Sequence, residues 1–351
     1  MKWEENVRRV VPYTPGEQPQ KTGIIKLNTN ENPYAPAPGV AEAAAALDVE
    51  KLRLYPAFPE KTDLAEALAA HYHIGTDRIF IGVGSDDVLS IAFLTFFQSD
   101  KPIFFPDITY SFYDVWADVY RIPYETKALD ADFQIRPADY KESNGGVVFP
   151  NPNAPTGVLM PLEKVEEIVA ANRDVVVIVD EAYIDFGGTS ALPLIDQYDN
   201  LLVVQTFSKS RSMAGMRIGF ACGQPALIRY LNDVKYSVNS YTMNTAALAL
   251  GVEAVRDEAY FETCCKRIME TRARAEKRLL GLGFVFPKSC ANFIFASHKT
   301  IPAREIFERL KENDIYVRWW DKDRIDNYLR ITIGTDEQME ALYRALEEIC
   351  G

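Results

Sequence analysis

Val175-Val176-Val177-Ile178-Val179-Asp180-Glu181-Ala182-Tyr183 decides the fold. Five β-branched residues without polar alternation suit a strand covered on both faces, the environment of an interior strand in a parallel sheet. Outward from it, 78–83 (RIFIGV), 103–105, 147–149, 201–205 and 218–221 are further short apolar runs. Amphipathic segments separate them: Leu64, Leu68 and Tyr72 at i, i+4, i+8, then 86–97 and 162–171. This alternation predicts an α/β domain over 31–245, a mostly parallel sheet between helices. Beyond it, Phe261, Cys265, Ile268, Ala275, Leu279 and Leu282 form a helical stripe ended by Gly281 and Gly283. Strand-like 292–296, helical 303–311, strand-like 328–333 and a helix from Asp336 follow, so 246–351 is expected to be a smaller α+β domain. Residues 1–30, rich in Pro, Gly and Gln, are expected to be an extended arm that belongs to that smaller domain.

Composition narrows the function. With 351 residues the prior is about two domains. A net charge of −12 argues against a general nucleic-acid or anionic-membrane binder, but a few buried arginines can still make a pocket for a small anion. No apolar run approaches the ~18 residues of a membrane span, and the start MKWEENVRRVV lacks the apolar core of a signal peptide. Five cysteines with no CxxC, two of them adjacent at Cys264 and Cys265, fit reduced thiols better than a disulfide framework. The expectation is a cytoplasmic enzyme that acts on small molecules.

Four segments could carry chemistry. Gly82-Val83-Gly84-Ser85-Asp86 ends a strand and opens a helix, so free N–H groups and the helix dipole favour an anion there. The plainer alternative is a tight turn capped by Ser85 or Asp86. A dinucleotide fingerprint would need a third glycine where Asp87 stands, and no GxxxxGK occurs. Asn151-Pro152-Asn153-Ala154-Pro155-Thr156-Gly157 follows a strand, where open α/β sheets bind ligands, yet as a bare pattern it is a turn. Asp180 at the end of an apolar strand is costly unless a cation meets it or it caps the next turn, and Tyr183 shares its direction if the chain turns helically. Thr206-Phe207-Ser208-Lys209, then Gly215-Met216-Arg217-Ile218-Gly219, is the strongest segment. A lysine just past an apolar strand is poorly solvated and well placed for the depressed pKa of an imine-forming amine. Ser208 and Arg217 supply a hydroxyl and a guanidinium suited to phosphate. His71 and His73 lie on different helix faces without further ligands, so no metal site is expected, and GxSxG and HExxH are absent.

The DEAY tetrapeptide, the Ser208-Lys209 pair with Arg217 eight residues on, the NAPTG loop and Leu329-Arg330-Ile331-Thr332 occur in the order seen in fold type I pyridoxal-phosphate aminotransferases. Within that superfamily the chain most resembles the histidinol-phosphate aminotransferases. The closer markers are Val11-Pro12-Tyr13, Leu27-Asn28-Thr29-Asn30-Glu31-Asn32-Pro33, Tyr55-Pro56, VDEAYI from Val179 and Leu329-Arg330-Ile331-Thr332-Ile333-Gly334. The resemblance runs from about residue 6 to the end.

It implies that Lys209 carries pyridoxal 5'-phosphate as an imine and then shuttles a proton. It implies that Asp180 pairs with the pyridine nitrogen, Tyr183 meets the ring 3-oxygen and Tyr110 stacks on the ring. The phosphate would be held by Ser85 and Asp86 at the helix start, by Ser208, Arg217 and Thr206, and by Tyr55 of a neighbouring subunit, which implies a homodimer. The family loop usually reads Asn-Pro-Thr-Gly; here Ala154 takes the place of that Asn, and the alternatives are that Asn153, one position earlier, substitutes for it or that Tyr183 alone meets the 3-oxygen. Arg330, Arg318 and Tyr13 would bind the substrate phosphate, and Arg330 would also bind the carboxylate of glutamate or 2-oxoglutarate. Tyr13, Asn30 and Tyr55 lean toward histidinol phosphate, whereas Arg318 could equally be a surface residue. The implied reaction is amino transfer between L-histidinol phosphate and 2-oxoglutarate in histidine biosynthesis. Aromatic-amino-acid aminotransferases and threonine-phosphate decarboxylase are the alternatives of the same fold. A non-catalytic regulatory module fits least.

Overall fold

The computed structural model describes residues 2–351. Its centre is a seven-stranded sheet in the order Ile79–Gly82, Gly219–Cys222, Leu201–Thr206, Val177–Asp180, Val147–Pro150, Ile103–Pro106, Tyr124–Lys127. Neighbours pair in parallel except at Gly219–Cys222, which runs antiparallel to both of its own. The apolar run that begins at Val175 thus becomes an interior strand, and all four of its residues are buried. Helices cover both faces, so one core gathers on the side of Val147, Val177, Leu201 and Phe220 and another on the side of Phe105, Val148, Ile178 and Leu202. Alternate residues of the same strands feed opposite cores, as the period of two requires.

A four-stranded antiparallel sheet is built from Phe284–Val285, Phe293–His298, Arg318–Trp319 and Leu329–Thr332. It packs on the helices Glu258–Gly281, Ala303–Glu312 and Asp336–Cys350, the last opened by a capping box between Thr335 and Gln338. The early chain joins this part of the molecule: Ile25–Lys26 pairs in parallel with Ile315–Tyr316, and the Thr332 amide donates to the Leu27 carbonyl. The core of this sheet also takes in Ala154, Tyr183 and Phe186 from loops of the large sheet, so the two sheets meet at those loops. Among the described residues no helix is long and apolar enough to cross a membrane.

Candidate active site

Strand direction selects the place. Gly82, Pro106, Pro150, Asp180 and Thr206 all end their strands at one edge, and Gly219 begins its strand there. This carboxyl edge is where open α/β sheets collect ligands. Two adjoining cavities of about 180 and 220 Å³ open there and share Thr29, Tyr110, Ala154, Tyr183 and Lys209.

The inner cavity has a cationic, donor-rich end. The helix Gly84–Phe96 points its start into it, leaving the first N–H groups without partners inside the helix. Neither Ser85 nor Asp86 caps that helix; Asp87 instead accepts from the Val83 amide at 2.9 Å, which leaves Ser85 and Asp86 facing the cavity. Gly84 adopts φ +81, and a Cβ on Gly219 would sit 2.3 Å from the Ser85 nitrogen, so glycine is required for strand and helix to approach this closely. Arg217 spans the same end: Nη1 donates to Ser208 Oγ (3.3 Å) and Nη2 to Asp86 Oδ2 (3.1 Å). Thr206 Oγ1 donates to Ser208 Oγ at 3.0 Å.

The other end is anionic. Asp180 is buried, and burial pushes its carboxyl up to about 6 against the hydrogen bonds from Tyr113 Oη (3.0 Å) and the Ala182 amide (3.2 Å). No cation among the described residues pairs with it. Between the two ends, burial and the Arg330 charge lower the Lys209 amine to about 8, opposed by Glu31 and Asp86. Lys209 Nζ donates to the Thr29 carbonyl at 3.0 Å. The Tyr183 hydroxyl accepts from Asn30 Nδ2 at 2.9 Å, and Tyr110 Oη donates to Asp86 Oδ1 at 2.6 Å.

The outer cavity is positive. Arg318 and Arg330 are direct register partners on neighbouring antiparallel strands, which puts both side chains on one face. Their guanidinium carbons lie 5.3 and 5.1 Å from the Trp320 ring centre, and neither has a carboxylate partner among the described residues. Arg330 Nη2 donates to the Asn28 carbonyl (2.9 Å), while its Nε is buried without a partner. The arm crosses the mouth: Arg318 donates to the Thr14 and Pro15 carbonyls, and Tyr13 stacks on Phe112 at 4.2 Å.

An amine of lowered pKa thus lies between a buried carboxylate without a cation and two guanidiniums without carboxylates among the described residues, and the whole chain is similar to known proteins. The family profile described as aminotransferase class I and II matches residues 22–346. Histidinol-phosphate aminotransferase 1 of Hydrogenovibrio crunogenus is 51% identical over 99% of this chain and 97% of its own. Histidinol-phosphate aminotransferase of Pseudomonas putida W619 is 49% identical over 98% and 99%. The chain belongs to the class I and II aminotransferases, among the histidinol-phosphate aminotransferases. The crystal structure of the Sinorhizobium meliloti histidinol-phosphate aminotransferase in complex with pyridoxal-5'-phosphate superposes with a TM-score of 0.85 at 25% identity, covering 93% of this chain and 90% of that one.

In this aminotransferase most of the residues singled out in the sequence converge. Ser85, Asp86, Tyr110, Asp180, Tyr183, Thr206, Ser208, Lys209 and Arg217 line the inner cavity, and Tyr13, Asn30, Arg318 and Arg330 the outer one. Two do not join them. Asn153 is buried with Nδ2 donating to the Ile108 carbonyl and Thr156 Oγ1, its Oδ1 unpartnered, and Ala154 lines the cavities instead. Tyr55 is 80% exposed and stacks on Tyr241 at 4.5 Å, outside both cavities. Three supports went unread. Tyr113 donates to Asp180, the Thr29 carbonyl accepts from Lys209, and Asn32 Nδ2 donates to the Lys209 carbonyl at 2.8 Å. Thr29 and Asn32 stand in the Leu27–Pro33 marker with no role read for either, and Tyr113, three residues after Tyr110, opens the next helix.

Proposed function

We propose that this chain transfers an amino group reversibly between L-histidinol phosphate and 2-oxoglutarate, in two half-reactions at one site, with pyridoxal 5'-phosphate carried by Lys209. The observation that carries this reading is the pairing of Arg318 and Arg330 without carboxylate partners beside a lysine held at about 8. The inner cavity fits the cofactor on its own chemistry. Asp180 is a buried carboxylate that needs a cation, which a protonated pyridine nitrogen is, and the close approach of Gly219 to the helix start at Gly84 and Ser85 sets free N–H groups and Arg217 at one end of the cavity, which suits phosphate. Ser85, Thr206, Ser208 and Arg217 would hold that phosphate, Tyr110 the ring face and Tyr183 the ring oxygen, with no help from position 154.

When bound, pyridoxal phosphate supplies an electrophilic carbonyl carbon and a ring that withdraws electrons from the substrate carbon bearing nitrogen. The chain does the rest. Lys209 with an amine near 8 is partly neutral at physiological pH, so Nζ would hold the cofactor's carbonyl carbon with loss of water and, once displaced by the substrate amine, would take a proton from the substrate carbon and return it one position away. The Thr29 carbonyl holds Nζ in place. Asp180 keeps the ring nitrogen protonated. Arg330 and Arg318 bind the substrate anion, phosphate in one half-reaction and carboxylate in the other, because the guanidinium fork suits both. Tyr13, stacked on Phe112, and the arm segment held by Arg318 exclude water from the mouth.

The exposed Tyr55, in an aromatic cluster with Phe58, Tyr236 and Tyr241, would be covered by a second copy in a homodimer and reach the phosphate of the neighbouring site. The test of the function is a half-reaction screen in which loss of the cofactor's visible absorbance is followed on adding candidate amines. L-histidinol phosphate and L-glutamate should bleach the enzyme fastest, and Arg318→Ala should slow the first more than any aromatic amino acid. Equal bleaching by phenylalanine, or equal losses in the variant, would refute this substrate assignment.

A further inference from the structure

Tyr113 is the unassigned group that touches this machinery. It opens the helix Tyr113–Tyr120, has no exposed surface, and lies against the rings of Phe93, Phe105, Tyr110 and Trp116 at centroid distances of 5.8–6.3 Å. Caged in this way, the ring has one direction in which to send its hydroxyl. That hydroxyl reaches Asp180 Oδ2 at 3.0 Å, while Oδ1 receives the Ala182 amide at 3.2 Å. Each carboxylate oxygen therefore has one fixed donor, and the plane of the group is set before any ligand arrives. Tyr113 also meets Tyr110 edge-on at 86° interplanar angle, so one residue supports both the ring-facing tyrosine and the carboxylate.

We infer that Tyr113 is a positioning residue for cofactor recognition: its hydroxyl keeps Asp180 ionised and oriented toward the pyridine nitrogen. This rests on the placement of Asp180 against that nitrogen proposed above. A hydrogen bond from a neutral phenol stabilises the carboxylate over the carboxylic acid, and burial pushes the phenol's own ionisation well upward, so the proton stays on the tyrosine. Asp180 is otherwise desolvated with no cation among the described residues, so without the phenol the neutral acid gains, and a neutral acid cannot hold a protonated ring.

The test compares two ligands on cofactor-free protein: pyridoxal phosphate and its 1-deaza analogue, which carries C–H in place of the ring nitrogen. Affinities are read from quenching of tryptophan fluorescence for the wild type, Tyr113→Phe and Asp180→Asn. The wild type should prefer the natural cofactor, and in Tyr113→Phe that preference should fall about tenfold through the natural cofactor alone, the analogue binding as before. A preference that survives in Tyr113→Phe overturns the inference. So does a parallel loss of both affinities, which would make the residue a packing element. If instead the wild type and Asp180→Asn show no preference, it is the placement of Asp180 that fails.

Discussion

Lys209 makes the cofactor-free protein carry a cost that can be measured. A lysine held at about 8 instead of 10.5 destabilises the fold while it is charged, by up to about 3 kcal/mol. The side chain is half-buried and keeps some contact with water, which reduces the figure to about 1–2 kcal/mol. Replacing it by methionine removes the charge and keeps most of the volume. The Thr29 carbonyl loses its donor, but Thr29 lines both cavities, so water can take the place. Cofactor-free Lys209→Met should therefore melt about 2–4 °C above cofactor-free wild type at pH 7. The sign of the pH dependence follows from a folded pKa below the unfolded one. The cost is full below about 8, declines as pH rises from there, and vanishes above 10.5, so the gain should shrink to less than half by about pH 9.5. Calorimetry of both stripped proteins at the two pH values decides it. A lower melting point at pH 7, or a gain undiminished at pH 9.5, would refute the reasoning that the site holds its lysine against the fold.

Two further outcomes follow from the same geometry. Gly219→Ala would set a Cβ 2.3 Å from the Ser85 nitrogen and the Gly84 carbonyl carbon, both backbone, so the helix start must move; pyridoxal phosphate affinity should fall at least about tenfold while pyridoxal without phosphate binds nearly as before, measured by fluorescence titration. Arg330→Gln should raise KM for glutamate and for histidinol phosphate alike by about 10- to 100-fold, and, since the Arg330 charge helps depress Lys209, it should move upward the pH midpoint at which the cofactor-free protein takes up pyridoxal phosphate; a downward shift would contradict the electrostatic coupling.

The parts of the site that were legible in the chain are those fixed by local order. Asp180, Lys209, Arg217 and the Gly82–Gly84 turn each follow or precede a short apolar run, and the end of such a run is by topology the edge of the sheet. Pairings between distant strands were not legible. Nothing in the stretch from Arg318 to Arg330 announces that the two arginines oppose each other, because antiparallel register is set by the turn and the core between them. The one reversed strand of the large sheet, Gly219–Cys222, reads like the strands that run the other way because all are covered on two faces. Tyr113 looks like any aromatic at the start of an amphipathic helix; its polar end matters only because Asp180 lies across the core. Asn153 misled for the opposite reason, since sequence adjacency to Ala154 says nothing of which of the two side chains faces the cavity.

Glu181 and Asp180 sharpen the point, being consecutive, buried and alike on paper. Glu181 is fully answered by the protein itself: Ser190 Oγ, the Ala191 amide and Gln205 Nε2 all donate to it within 2.9 Å. Asp180 has two donors and, among the described residues, no cation, and it faces a cavity. The same contrast separates Arg217, paired with Asp86, from Arg318 and Arg330, which lie against Trp320 instead of a carboxylate. An indole orients a guanidinium without neutralising it, so the positive charge remains for a ligand. In a chain of net charge −12, carboxylates to neutralise these two arginines are plentiful. Among the described residues none lines the outer cavity, which supports the proposed binding of an anion there, as the lack of a cation at Asp180 supports the proposed place of a protonated ring, with Lys209 between the two.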